Sequence, residues 1–136
     1  MDKIHSDDAP EPVGSYPHAR RVGNLLFLSG VGPRKKGSTQ IPGVTLDAEG
    51  NIISRDIEQQ CHAVFQNVRS ILEASGSHWD NLVDVTVFLT HMKEDFPAFN
   101  KIYGEYFQQN QPCRTTVEVN ALPTPIAIEL KCIATV

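Results

Sequence analysis

The sequence predicts an α+β domain in which two helices cover one face of a single sheet. Three observations predict it. Apolar residues recur at helical spacing in two segments, near 57–72 and 96–107. Four other segments, 25–29, 82–90, 115–119 and 126–135, are rich in β-branched and aromatic residues or alternate apolar with polar. With a first strand ending near Val22, the order is ββ-α-β-α-ββ. A chain of 136 residues, 40% apolar and 21% charged, supplies one core and is short for two.

Residues 1–12, acidic and Pro-containing, read as a flexible lead-in, and 13–136 as one domain. "YPHARRVGNLLFLSG" reads as a hairpin that turns at Gly23-Asn24 into a strand over Leu25–Ser29. The following Gly- and Pro-rich stretch to Asn51 is longer than ordinary connections, hence functional or mobile. Ile57, Cys61, Val64, Phe65, Val68, Ile71 and Leu72 mark the first helix. Asp56 with Gln59 caps its start and Gly76 stops it. Val83, Val85, Val87 and Leu89 alternate with Asp84, Thr86, Phe88 and Thr90 in a strand. The second helix is expected over Phe96–Gln108, with Asp95 as cap and Pro97 in the first turn. Two strands close the chain, Thr115–Val119 and Ile126–Thr135. "LLFLS" is apolar on both sides, so the sheet face away from the helices needs cover and an oligomer is expected.

A net charge of −4 and a pI near 5.7 argue against nucleic-acid binding, whose footprint is a basic surplus. No apolar run is long enough to span a membrane and no export signal is visible, so a cytoplasmic protein is expected. Three scattered cysteines, Cys61, Cys113 and Cys132, then read as free thiols. The histidines form no ligand spacing, and neither a phosphate-binding Gly motif nor a serine elbow is present; no metal or organic cofactor is expected.

Arg114 and Glu129 remain. Each reads either as an ordinary solvated charge at a strand or as part of a site. A guanidinium can hold a carboxylate bidentately, and a carboxylate beside it can orient a water. Neighbouring antiparallel strands would bring the two to one sheet edge; spacing alone leaves this open.

"GSYPHARRVGNLLFLSG", "VFQNVRSILEASG", "VDVTVFLTHMKEDFPAFNKIY" and "CRTTVEVNALPTPIAIELKCIA" together resemble, in order, the blocks of the Rid (RidA, YjgF) family. The resemblance implies a chorismate-mutase-like fold, a homotrimer with a central barrel, and active sites in clefts between subunits. It implies cofactor-independent hydrolysis of the enamine or imine of a 2-amino acid to the 2-oxo acid and ammonia, with a small carboxylate as substrate. Arg114 matches the residue that pairs with the α-carboxylate, and Glu129 the one that positions or activates water. Tyr16 matches a pocket aromatic, Ser29 and Gly30 a substrate-contacting loop, and Asn100 a family asparagine. Where the family usually has cysteine, this chain has Thr116. The "YPHARR" run and the expanded basic loop resemble the 2-aminomuconate deaminase branch. Its dicarboxylate substrate needs a second cation, for which His18, Arg20, Arg34, Lys35 and Lys36 are candidates. The alternatives are a generic 2-iminobutanoate/2-iminopropanoate deaminase and a non-catalytic ligand-binding or chaperone-like role. The family's ribonuclease description fits the acidic charge poorly.

Overall fold

A computed structural model describes every residue except Met1 and Thr39. Six strands form one sheet in the order β1-β2-β3-β8-β6-β7. These are β1 (Asp2–Ile4), β2 (Ala19–Val22), β3 (Leu25–Leu28), β6 (Leu82–Leu89), β7 (Cys113–Glu118) and β8 (Ile128–Thr135). Helices α1 (Ile57–Ala74) and α2 (Met92–Phe107) lie together on one face, the predicted α+β layer. Strand alternation builds the core. Val85, Val87 and Leu89 pair with Cys132, Leu130 and Ile128, and all six are buried beneath the helices. The opposite face carries Val22, Leu25, Phe27, Phe88, Val117 and Ile133, each partly or well exposed.

Helix α1 follows its pattern. All seven apolar positions are buried, and the Asp56 side chain accepts from the backbone N–H groups of Glu58 and Gln59. Phe65 then joins the helices, its ring meeting Trp79, Tyr103, Tyr106 and Phe107 at centroid separations of 4.6–6.1 Å.

Several elements differ from expectation. The lead-in is tied down: β1 pairs with β2, the Ser6 N–H donates to His18, and Ala9 is fully buried. Ladder bonds and burial hold a segment that composition reads as free. The long connection contains a hairpin, β4 (Val44–Leu46) and β5 (Ile52–Arg55). Its turn is closed by Asp47 Oδ1, which accepts from Glu49 N and Asn51 N. A register shift between Leu82 and Asp84 turns Leu82 inward and leaves Val83 exposed. Helix α2 starts four residues early. Its cap is His91, which makes no side-chain capping bond; Glu118 Oε1 accepts from Met92 N instead, at 2.9 Å. Asp95 is therefore helical and buried, and Pro97 lies inside the helix.

Replacing Phe65 with Ala removes the ring that both helices share and should cost about 3–5 kcal/mol. Urea unfolding at one fixed protein concentration measures the loss.

Candidate active site

The two central candidates occupy different parts of the sheet. Arg114 lies within β7, not ahead of it, and β7 runs parallel to β6 at the sheet edge. Its register partner is the core residue Val85, so it emerges on the helix side, beside α2. There Phe96, Phe99, Asn100 and Tyr103 recur at helical spacing. The guanidinium carbon lies 4.7 Å from the Tyr103 ring centroid, 5.5 Å from Phe99 and 5.9 Å from Phe96. NH1 donates to Asn100 Oδ1 at 2.9 Å. Three ring faces and one amide thus orient the cation, and its remaining N–H groups have no acceptor among the described residues. Burial pushes the Tyr103 phenol up to about 12 despite the opposing Arg114 charge, so the ring stays neutral. Thr116, two residues along β7 on the same face, has a buried hydroxyl with no partner among the described residues.

Glu129 lies on β8, whose buried positions alternate with it, and pairs with Phe88 on the uncovered face. Its carboxylate rests on bare backbone: a Cβ at Gly30 would fall 2.7 Å from Oε2. Ser29 and Gly30 interrupt the ladder at this point. Ser29 N donates to His18 O, Val31 exchanges two hydrogen bonds with Leu130, and Ser29 Oγ donates to Pro17 O at 2.8 Å. Asn67 of α1 fixes the chain beyond, donating to the carbonyls of Gly32 and Arg34 at 2.9 and 2.7 Å. Burial raises the Glu129 pKa above the ordinary carboxylate value, with the Arg34 charge working the other way.

Strand β6 separates β7 from β8, which corrects the antiparallel neighbours expected from the sequence. Arg114 aligns through Val85 with Cys132, three residues from Glu129. The two are roughly 14 Å apart on the strand lattice and on opposite faces. One chain therefore holds two separate clusters of candidate residues: Arg114, Asn100 and Thr116 in one, and Ser29, Gly30 and Glu129 in the other.

Both ring nitrogens of His18 are engaged within the chain: Nδ1 accepts from Ser6 N at 2.8 Å and Nε2 lies 2.7 Å from Pro10 O. Its work is to pin the N-terminal segment. Arg34 lines a cavity of about 30 Å³ with His18, Ser29 and Gly30, and donates to Glu11 O at 2.8 Å. Lys36 pairs with the Glu11 carboxylate at 2.9 Å. The Tyr16 hydroxyl accepts from Val13 N at 3.2 Å, within its own segment. Sequence reasoning missed Asn67 and the cradle rings. The spacing of Phe96, Phe99 and Tyr103 was visible, and Asn100 between them was the clue that this stripe is more than core.

The family described as Endoribonuclease L-PSP matches residues 6–136. A RutC family protein of Pyrococcus horikoshii is 39% identical over 132 residues, 96% of this chain and 94% of that one. Reactive Intermediate Deaminase A, chloroplastic, of Arabidopsis thaliana is 36% identical over 132 residues, 97% of this chain and 64% of that one. The crystal structure of E. coli TdcF with bound serine superposes with a TM-score of 0.85 at 27% identity, covering 100% of this chain and 99% of that one. The chain belongs to this family, the Rid/YjgF (RidA, L-PSP) family.

The raised Glu129 pKa has a consequence for stability. A carboxyl that holds its proton more tightly folded than unfolded favours the fold at low pH and loses that contribution as pH rises through the folded value. Glu129→Gln should therefore be more stable than the parent at pH 7. The gap should close as pH falls towards the unfolded value of about 4.3. Thermal melts of both proteins between pH 4 and 8 read this directly.

Proposed function

We propose that this chain hydrolyses the enamine or imine of a 2-amino acid to the 2-oxo acid and ammonia, in clefts between copies of a homotrimer. The observation that carries the reading is the preassembled Arg114. It is stacked on three rings and tethered by Asn100, with N–H groups still open to an anion. Such a fork recognises the α-carboxylate of an amino-acid-derived ligand. The serine in the TdcF structure is a ligand of that class. The apolar uncovered face supports assembly, since a second copy laid on it removes Phe27, Phe88 and Ile133 from water. Assembly also supplies what one chain lacks, a Glu129 half-site facing an Arg114 half-site.

In this mechanism the enamine tautomerises to the imine. Arg114 of one copy holds the carboxylate and fixes the electrophilic carbon. Glu129 of the next orients a water and takes its proton as the oxygen attacks that carbon. Glu129 returns that proton to nitrogen, giving the tetrahedral carbinolamine; it then takes the hydroxyl proton and passes it to the amine, so that ammonia leaves as the C–N bond breaks and the carbonyl of the 2-oxo acid forms. A carboxyl with a raised pKa suits a group that must both accept and return a proton. No covalent intermediate is needed.

The substrate we favour is 2-aminomuconate, converted to 4-oxalocrotonate, with the basic 34–36 stretch meeting the distal carboxylate. Engagement of Arg34 and Lys36 by Glu11 favours the second reading, a deaminase of small imino acids such as 2-iminobutanoate. The net charge of −4 counts against RNA, whose binding draws on a basic surplus, whereas a small carboxylate needs only a local cation such as Arg114.

Ammonia release from freshly generated 2-aminomuconate and from 2-iminobutanoate decides between them. Arg114→Ala should lower kcat/KM on the preferred substrate by roughly a hundredfold, the loss of a charge-assisted bidentate contact. Parent-level activity in that variant would remove Arg114 from the site.

A further inference from the structure

Arg55 is the last residue of β5, next to the Asp56 cap of α1, yet its side chain leaves the hairpin for α2. Nε donates to Asp95 Oδ2 at 3.0 Å, and NH2 to Asp95 Oδ1 at 3.2 Å and Glu94 Oε2 at 2.6 Å. Asp95 is only 6% exposed, and a carboxylate so buried is tolerated where a cation meets it squarely. The fork of an arginine does this; the point charge of a lysine does it less well.

The contact falls on the first turn of α2, where the Asp95 N–H also donates to His91 O at 2.9 Å. The His91 cap contributes no side-chain bond, and Pro97 offers no N–H to the carbonyl of Lys93. Side chains from elsewhere in the chain add to this hold, Glu118 at Met92 and Arg55 at Asp95. The residue after Asp95 is Phe96, the outermost ring under Arg114, and Phe99 and Asn100 follow within one turn.

We propose that Arg55 is a positioning residue for anion binding: through Asp95 it sets the first turns of α2 against β7, and so the direction in which Arg114 presents its open N–H groups. The inference rests on the proposed deaminase reading and adds to it a coupling between the β4–β5 hairpin and the carboxylate half-site. Among the described residues, the polar partners of Arg55 are Asp95 and Glu94, not Arg114 or Asn100.

The experiment compares the parent with Arg55→Gln, Arg55→Lys, Arg114→Ala and Arg69→Gln. Arg69 stacks on Trp79, and among the described residues it makes no hydrogen bond, ion pair or ring contact with the Arg114 or Glu129 cluster, so its variant controls for general destabilisation. For each protein, KM and kcat are measured on the preferred imine, the Kd of the product analogue 2-oxobutanoate by calorimetry, and Tm. Arg55→Gln should raise both KM and Kd on the order of tenfold, the scale of a small misplacement of an orienting group. The kcat should change little, and Arg55→Lys should recover part of the loss. A lowered Tm with KM and Kd unchanged, as expected for Arg69→Gln, would reduce Arg55 to a structural brace and overturn the proposal. If Arg55→Gln does not fold, Arg55→Lys against the parent carries the same comparison. Parent-like binding in Arg114→Ala overturns the underlying reading, and is told apart because it is seen in that variant alone.

Discussion

Parallel pairing of β7 with β6 is the constraint on which the placement of Arg114 depends. A parallel connection needs a crossover, and α2 supplies it, so the helix after β6 necessarily lies over the strand that carries Arg114. Crossover and cradle are one element. The residues that bury α2 against the sheet at its inner side, Phe99 and Tyr103, are the same ones that present ring faces to the guanidinium at its outer side. Packing and the orientation of the guanidinium are hence not separable there. A change that loosens the helix also re-aims the arginine.

The same pairing places β6 between β7 and β8, and the two-residue period of a strand does the rest. Cys132 faces the core, so Glu129, an odd number of residues away, faces outward. It meets Gly30, where the interrupted β3–β8 ladder leaves room for a carboxylate against naked backbone. Desolvation at that spot lifts the proton affinity of the acid. A residue with a full side chain in place of Gly30 would occupy the space the carboxylate needs.

Elements whose causes are local were legible in the sequence. Helix α1 has its cap, its apolar stripe and its Gly stop within twenty-odd residues, and it forms as read. The start of α2 was not legible because Asp95-Phe96-Pro97 imitates a cap followed by a first-turn proline. The true start depends on Glu118, far along the chain, and on Arg55 from the hairpin. Strand β1 was hidden for a similar reason. Its polar Asp-Lys-Ile gives no periodic signal, and its place comes from the β2 register and from a histidine bonded through both ring nitrogens. Alternation put Glu129 on a strand and left Arg114 just ahead of one, where β7 in fact includes it, and the proposed roles of both came from family resemblance. That they lie on opposite faces followed only from strand order, which no local pattern encodes.

That separation has a genetic meaning. Were each cleft assembled from the Arg114 face of one subunit and the Glu129 face of its neighbour, a defect in either residue would be a defect in half of a site. A subunit damaged at Arg114 would still offer an intact Glu129, and the reverse. Two inactive alleles, one of each kind, expressed in the same cell would then form mixed assemblies in which some clefts draw both good halves, and the pair would complement where neither allele alone suffices.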